Sequence, residues 1–269
     1  CIRDRIFNIP KQLITDYPFD NNYLDSGTSK VHSVLKDNAG NLWIAIYQKG
    51  VMMIPAQPNS FKYIGYKSIN KNIIGSDCIT SLCRDHEGIL WIGTDNDGIY
   101  GITTELKQKV HYAPHDSPSS VPSTVFGLYE DSEHNLWFGS YTNGLGRLDK
   151  KTGQCSYLQN LTDKNGNRIQ RVYDLVEDQD KRLWIATMGA GLFYYDLKTG
   201  QSVYDPKFNA ATKKYKWISC LLYAGDNHLY VGTYDGIRCI DLSTDDFKTE
   251  EILSRHIIHS LYEDPQGNI

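Results

Sequence analysis

His111 and His115 stand four residues apart, a spacing that on a helix would aim two imidazoles at one metal ion. Pro114 lies between them, so the segment reads as a loop and no metal site is assigned. Asp95-Asn96-Asp97-Gly98 matches the opening of a calcium loop but lacks the later ligands, and it reads as a turn. Cys83, Asp174 and His259 supply the residue types of a nucleophilic set, yet they fall on or beside different strands and nothing in the sequence brings them together. Asp37, Asp85, Asp131, Asp178 and Asp264 would make a ring of acids, but their regular placement in turns makes each a cap for its own turn. No nucleophile elbow, phosphate loop or dinucleotide fingerprint is present. No catalytic residue, metal ligand or cofactor is therefore assigned.

Those aspartates belong to a repeat. Aligned on Trp43, Trp91, Trp137, Trp184 and Tyr230, five copies recur every 46 to 48 residues. The aspartate lies six residues before the aromatic, and the fifth copy has Ala224 there. A leucine precedes the aromatic in every copy. A small residue follows two places on (Ala45, Gly93, Gly139, Ala186, Gly232), then Thr94, Ser140, Thr187 or Thr233, with Ile46 the exception. Paired apolar positions recur upstream as Val31/Val34, Ile79/Leu82, Val125/Leu128, Val172/Leu175, Ile218/Leu221 and Ile258/Leu261.

The runs are short, rich in β-branched and aromatic residues, and bounded by Gly, Asn and Asp, the pattern of strands joined by tight turns. In the second copy, strands are expected at 79–84, 90–94, 99–103 and 109–112. Four antiparallel strands per period of this length make a propeller blade. The fold is therefore all-β, a β-propeller of four-stranded antiparallel blades. About five to six blades are present, as part of a seven-bladed ring. Residues 1–30 are expected to hold the end of a preceding blade and a linker, with an outermost strand at 14–17. Residues 31–257 hold five blades, and 258–269 the first strand of a further, truncated one. The aromatic is expected between neighbouring blades, and the small residue where sheets approach closely. The first strand either has two apolar faces or carries a bulge.

A net charge of −4 and a pI near 6.1 argue against a nucleic-acid surface. No apolar run approaches the roughly 20 residues of a membrane helix. Six cysteines without paired spacing (Cys1, Cys78, Cys83, Cys155, Cys220, Cys239) read as buried free thiols.

Asp85 to Thr94 and Asp131 to Ser140, each followed by Gly98-Ile99 or Gly144-Leu145, resemble the regulator-propeller repeat of bacterial two-component sensors. The resemblance runs from Val31 onward. It implies a periplasmic sensor module from a Bacteroidetes hybrid histidine kinase that detects oligosaccharides and regulates glycan utilisation. It also implies a homodimer in the intact receptor, with kinase and DNA-binding segments lying elsewhere. Neither membrane insertion nor nucleic-acid binding is expected of this region. Two other propeller families share part of the pattern. Sialidase-type Asp boxes place the aspartate one residue nearer the tryptophan. Streptogramin-lyase-like propellers are enzymes and offer the main alternative; such chemistry would need a histidine such as His32 or His259 beside a carboxylate. A protein-interaction scaffold is the third reading.

In a repeat array, function is sought where copies differ. The links between second and third strands differ most: Tyr47-Gln48-Lys49, Asp95-Asn96-Asp97, Tyr141-Thr142-Asn143, Met188-Gly189-Ala190 and Tyr234-Asp235. Sugar rings stack on aromatic faces, and their hydroxyls suit amides and carboxylates. Tyr47, Tyr141 and Tyr234 with Asp95, Asn96, Asn143 and Asp235 supply both. Arg171 and Trp217, just before inner strands, complete the expected ligand-binding set.

Overall fold

The computed structural model describes residues 5–8, 13–16, 31–46, 50–54, 56, 74–76, 78–104, 107–163, 165–204, 217–244 and 247–269. It forms two units, 1–77 and 78–269.

In the first unit, β1 (Arg5–Asn8) and β2 (Leu13–Asp16) make an antiparallel pair, Arg5 opposite Asp16. The strand expected at 14–17 is thus present at 13–16, with a partner that sequence patterning did not place. β3 (Val31–Lys36), β4 (Leu42–Ile46) and β5 (Gly50–Ile54) form a three-stranded sheet, blade 1. Residues 57–73, which would carry this blade's fourth strand, lie outside the described residues.

The second unit holds four sheets of four strands, each antiparallel and in chain order. Blade 2 is β6 (Ile79–Arg84), β7 (Leu90–Thr94), β8 (Ile99–Ile102) and β9 (Gln108–Tyr112). Blade 3 is β10 (Val125–Glu130), β11 (Leu136–Ser140), β12 (Leu145–Leu148) and β13 (Cys155–Tyr157). Blade 4 is β14 (Val172–Glu177), β15 (Arg182–Thr187), β16 (Leu192–Asp196) and β17 (Gln201–Tyr204). Blade 5 is β18 (Ile218–Ala224), β19 (His228–Thr233), β20 (Gly236–Asp241) and β21 (Thr249–Ser254). First strand packs on first strand in the order β6, β10, β14, β18. This is the β-propeller arrangement.

Trp91, Trp137 and Trp184 of the second unit sit between blades, as expected. Trp91 packs with Val125, Leu136 and Phe138 of blade 3. Trp137 packs with Leu175, Leu183 and Ile185 of blade 4, and Trp184 with Leu221, Leu229 and Val231 of blade 5. Each indole is also tied by its N–H to the turn aspartate of its own repeat. Trp91 Nε1 donates to Asp85 Oδ2 at 2.8 Å, Trp137 Nε1 to Asp131 Oδ2 at 2.7 Å, and Trp184 Nε1 to Asp178 Oδ2 at 2.8 Å. The other oxygen takes a backbone N–H of the turn, from Ile89, Asn135 and Arg182. The fifth copy lacks both partners together, with Ala224 and Tyr230. The hydroxyl three places after the aromatic closes the opposite turn. Thr94, Ser140, Thr187 and Thr233, all fully buried, donate to the carbonyls of Gly98, Gly144, Gly191 and Gly236.

The small residue is required by close approach. A Cβ on Gly139 would lie 2.5 Å from the Val172 carbonyl oxygen of the next blade, and one on Gly93 3.1 Å from that of Val125. Between the two readings left open for the first strand, the structure has a bulge. In each of the five blades the register of the first two strands slips after the first apolar residue, the slip falling at His32, Thr80, Phe126, Tyr173 and Ser219.

Two expectations need adjustment. Residues 258–263 make no ladder, although Ile258 lies against blade 5, donating its N–H to Thr233 O at 3.0 Å. The Asp264 turn forms as in the other copies, with Oδ1 accepting from Asn268 N at 2.8 Å. Among the cysteines, Cys155, Cys220 and Cys239 are buried free thiols and Cys83 is partly buried, but Cys78 is exposed. Cys78 immediately precedes β6, where the chain enters from a loop, so no neighbouring strand covers it.

Candidate ligand-binding site

The bulges and the second-to-third-strand turns lie at one end of the blades of the second unit. There the chain alternates between a residue entering a first strand and a residue of a turn. Asp95 bridges to Thr124, whose hydroxyl donates to Asp95 O at 3.5 Å. Met188 bridges to Trp217 and donates its N–H to Arg171 O at 3.0 Å, and Tyr234 N donates to Trp217 O at 3.3 Å. The resulting rim runs Asp95, Thr124, Tyr141, Arg171, Met188, Trp217, Tyr234.

Its side chains converge. The Arg171 guanidinium lies 5.0 Å from the Tyr141 ring centre, a cation–π contact. Trp217 and Tyr234 meet edge to face at 5.8 Å. Tyr141, Trp217 and Tyr234 are 42%, 46% and 45% exposed. The bulges of blades 3 and 4 add two aromatics that sequence patterning missed. Phe126 stacks on Tyr173 at 4.3 Å and meets Tyr141 edge-on at 6.0 Å. Burial raises the Tyr173 phenol. The signal for Phe126 and Tyr173 was present in the alignment: the position reads His32, Thr80, Phe126, Tyr173, Ser219, as variable as the turns.

The remaining predicted residues divide. Asp235 accepts Arg255 N at its carbonyl, and its N–H bonds Thr233 Oγ1 at 3.1 Å. Asn143 likewise anchors its turn, its N–H bonding Ser140 Oγ at 2.8 Å, while its carbonyl accepts from Arg168 at 3.2 Å. Asn96 sits in the same turn as Asp95, beside the rim. Tyr47 lies outside the described residues.

The groups of catalytic type stay apart. The Cys83 thiol is pushed up to about 11 by burial, and its charged neighbours are Glu130, Asp85 and Lys150. Asp174 instead faces blade 5, where Oδ2 accepts Leu221 N at 2.8 Å, with Leu175 N on Oδ1 at 2.9 Å. Burial pushes its carboxyl up to about 6 despite those two donors, which favour the charged form. His111, on a strand rather than a helix, stacks on Tyr100 at 3.9 Å and contacts Asp97 O at 2.8 Å, whereas His115 pairs with Ser120. The two do not share a site.

Residues 73–96, 119–142 and 162–189 match the model of the two component regulator propeller family. Each match runs from the approach to a first strand through the tryptophan-bearing second. No curated protein matches the chain. Similar crystal structures include the extracellular domain of BT4673 from B. thetaiotaomicron, described as a one component system. It is 21% identical with a TM-score of 0.61, over 98% of this chain and 37% of that one. The extracellular domain of BT3049 from the same organism, described as a hybrid two component system, is 20% identical with a TM-score of 0.58, over 96% and 40%. The chain thus spans well under half the length of these structures. At such identities the likeness establishes the fold. Among the described residues, no helix is long and apolar enough to cross a membrane.

Proposed function

Since its repeats are those of two component regulator propellers, we propose that this chain is a ligand-recognition segment of an extracytoplasmic sensor ectodomain, and that it binds an oligosaccharide at the aromatic rim. The observation that carries this reading is the rim itself: at one end of blades 3, 4 and 5, Phe126, Tyr141, Tyr173 and Arg171 form one contact group and Trp217 and Tyr234 a second. Stacked rings offer flat apolar faces for the C–H side of a pyranose, and Asp95 and Arg171 offer hydrogen bonds to its hydroxyls. The rim acts by binding: its groups are stackers and hydrogen bonders. A signal then depends on the ligand having different affinities for two states of the receptor. The periplasm is the compartment this reading requires, a glycan-utilisation operon its output, and a dimer of the intact receptor its route to the kinase.

Isothermal titration of the chain against a panel of neutral and acidic plant and host oligosaccharides tests the reading. Binding of at least one class is expected, weakened about tenfold or more by Trp217→Ala or Tyr141→Ala, the loss of one stacking face. A panel without heat, or binding indifferent to both substitutions, removes the rim as the site.

A further inference from the structure

At the opposite end of blades 2 and 3, the aspartate turns carry a second group of side chains. Glu130, the last residue of β10, reaches back to the preceding blade: its Oε2 accepts His86 N at 2.7 Å, and its Oε1 lies 2.8 Å from His86 Nδ1. The next junction repeats the arrangement. Glu177, the last residue of β14, accepts Ser132 N at 2.6 Å and Ser132 Oγ at 2.5 Å. The third member of each clasp stands three residues after the turn aspartate. In blade 4 it is Lys181, 3.5 Å from Glu177 Oε1; in blade 3 it is His134. The repeat therefore builds a slot for positive charge beside a glutamate. At the blade 2–3 junction that slot is lined by two imidazoles instead of a hydroxyl and an ammonium.

One ligand atom each from His86, Glu130 and His134 lies within 4.8 Å of the others. His134 is held there by its backbone, in the left-handed region at φ 66°. Its ring stacks on His86 at 3.7 Å. A concavity of about 560 Å³ bordered by His134 and Lys150 gives the cluster access to solvent.

We propose that His86, Glu130 and His134 form a site for a divalent zinc ion that clips blade 2 to blade 3. Two imidazoles and a carboxylate are a donor set for zinc rather than magnesium or calcium, and the open side leaves room for water as a fourth ligand. Bringing three donors to about 2.0–2.2 Å from one ion requires the stacked rings to rotate and the cluster to contract. It also displaces Lys150, whose Nζ is 2.7 Å from Glu130 Oε1. Lys150 has a second partner in Asp85 Oδ2 at 3.4 Å, so the ammonium is not left unpaired.

Zinc chloride titrated into the full chain in a non-chelating buffer at pH 7.5 tests this by calorimetry, with a thermal melt beside it. One saturable site and a raised melting temperature are expected, with magnesium and calcium inert. His86→Gln and His134→Asn should each weaken zinc by at least about tenfold, since loss even of an outer partner costs ~10–100-fold. Asn is chosen at 134 because the fifth repeat carries Asn227 there, also at positive φ. Lys150→Met should tighten zinc, because it removes the competing cation. No saturable binding, or binding unchanged in both histidine variants, overturns the site. Zinc binding that is insensitive to Lys150→Met overturns the proposed place of the ion on Glu130. The rim lies at the other end of these blades, so none of these results bears on oligosaccharide binding.

Discussion

Asp131 uses both carboxylate oxygens within its own repeat. Oδ1 takes Asn135 N at 2.8 Å, and Oδ2 takes Trp137 Nε1 at 2.7 Å and Asn135 Nδ2 at 2.9 Å. Both Asp131 and Trp137 are buried, so Asp131→Ala strands an indole N–H away from water. A loss of about 2–4 kcal/mol in denaturant unfolding is expected. Asp37 makes the same bonds around Trp43, but that indole is 40% exposed and water can replace the carboxylate. Asp37→Ala should cost clearly less than Asp131→Ala, and equal losses in the two variants would contradict this account. Asp174 behaves differently. Its folded carboxyl is raised to about 6 from an ordinary 3.8, so the folded state binds a proton where the unfolded chain does not. Its contribution to stability is therefore greatest below about pH 4, declines as pH rises toward about 6, and stays low above. The melting temperature of the natural protein relative to Asp174→Asn should therefore be highest near pH 4 and fall as pH rises to 7.5. A difference that stays constant between those pH values would show that this carboxyl titrates at its ordinary value in the fold.

At the scale of strands and sheets, the repeat specifies contact distance. Gly139 faces Val172 of the next blade so closely that a methyl group would meet the Val172 carbonyl at 2.5 Å. Gly139→Ala should destabilise by about 1–3 kcal/mol, because two backbones must move apart. Gly225 has nothing within 4 Å of the same atom and is not at positive φ. Gly225→Ala should be neutral or stabilising by up to about 1 kcal/mol. Melting of the two variants side by side checks the argument. The bulge is the second device at this scale. It displaces one residue in each first strand of the second unit, and the repeats use that residue in two ways. Thr80 and Ser219 donate to the carbonyls of Val125 and Ile258 in the following segment. Phe126 and Tyr173 instead stack on each other at the rim.

For the whole molecule, the two ends of the second unit have separate work. The tryptophans, each tied down by the aspartate of its own repeat, and the glutamate clasps hold blade to blade, while the rim carries side chains that vary from copy to copy. Rim substitutions should therefore change oligosaccharide affinity with little change in melting temperature, and turn-aspartate substitutions the reverse. A Trp217→Ala variant that lost several degrees of melting temperature would place that ring in the framework instead. The chain spans 37–40% of the length of the extracellular domains whose fold it shares.

The period, the antiparallel strands, the turn aspartates and the inter-blade tryptophans were legible in the sequence because each depends on residues near one another and recurs at a fixed interval. The strand limits of blade 2 show this: Ile79–Arg84 and Leu90–Thr94 fall where patterning placed them. The tertiary structure alone decided which variable positions meet. Phe126 touches both Tyr141 and Tyr173 because a bulge turns its side chain toward the rim, and alternation of apolar residues cannot distinguish a bulge from a strand buried on both faces. Glu130 finds His86, 44 residues earlier, only because sheets stack in chain order at a particular rotation. Local chemistry repeats and can be read along the chain; the company a side chain keeps across a blade junction is set by packing, and packing has no local signature.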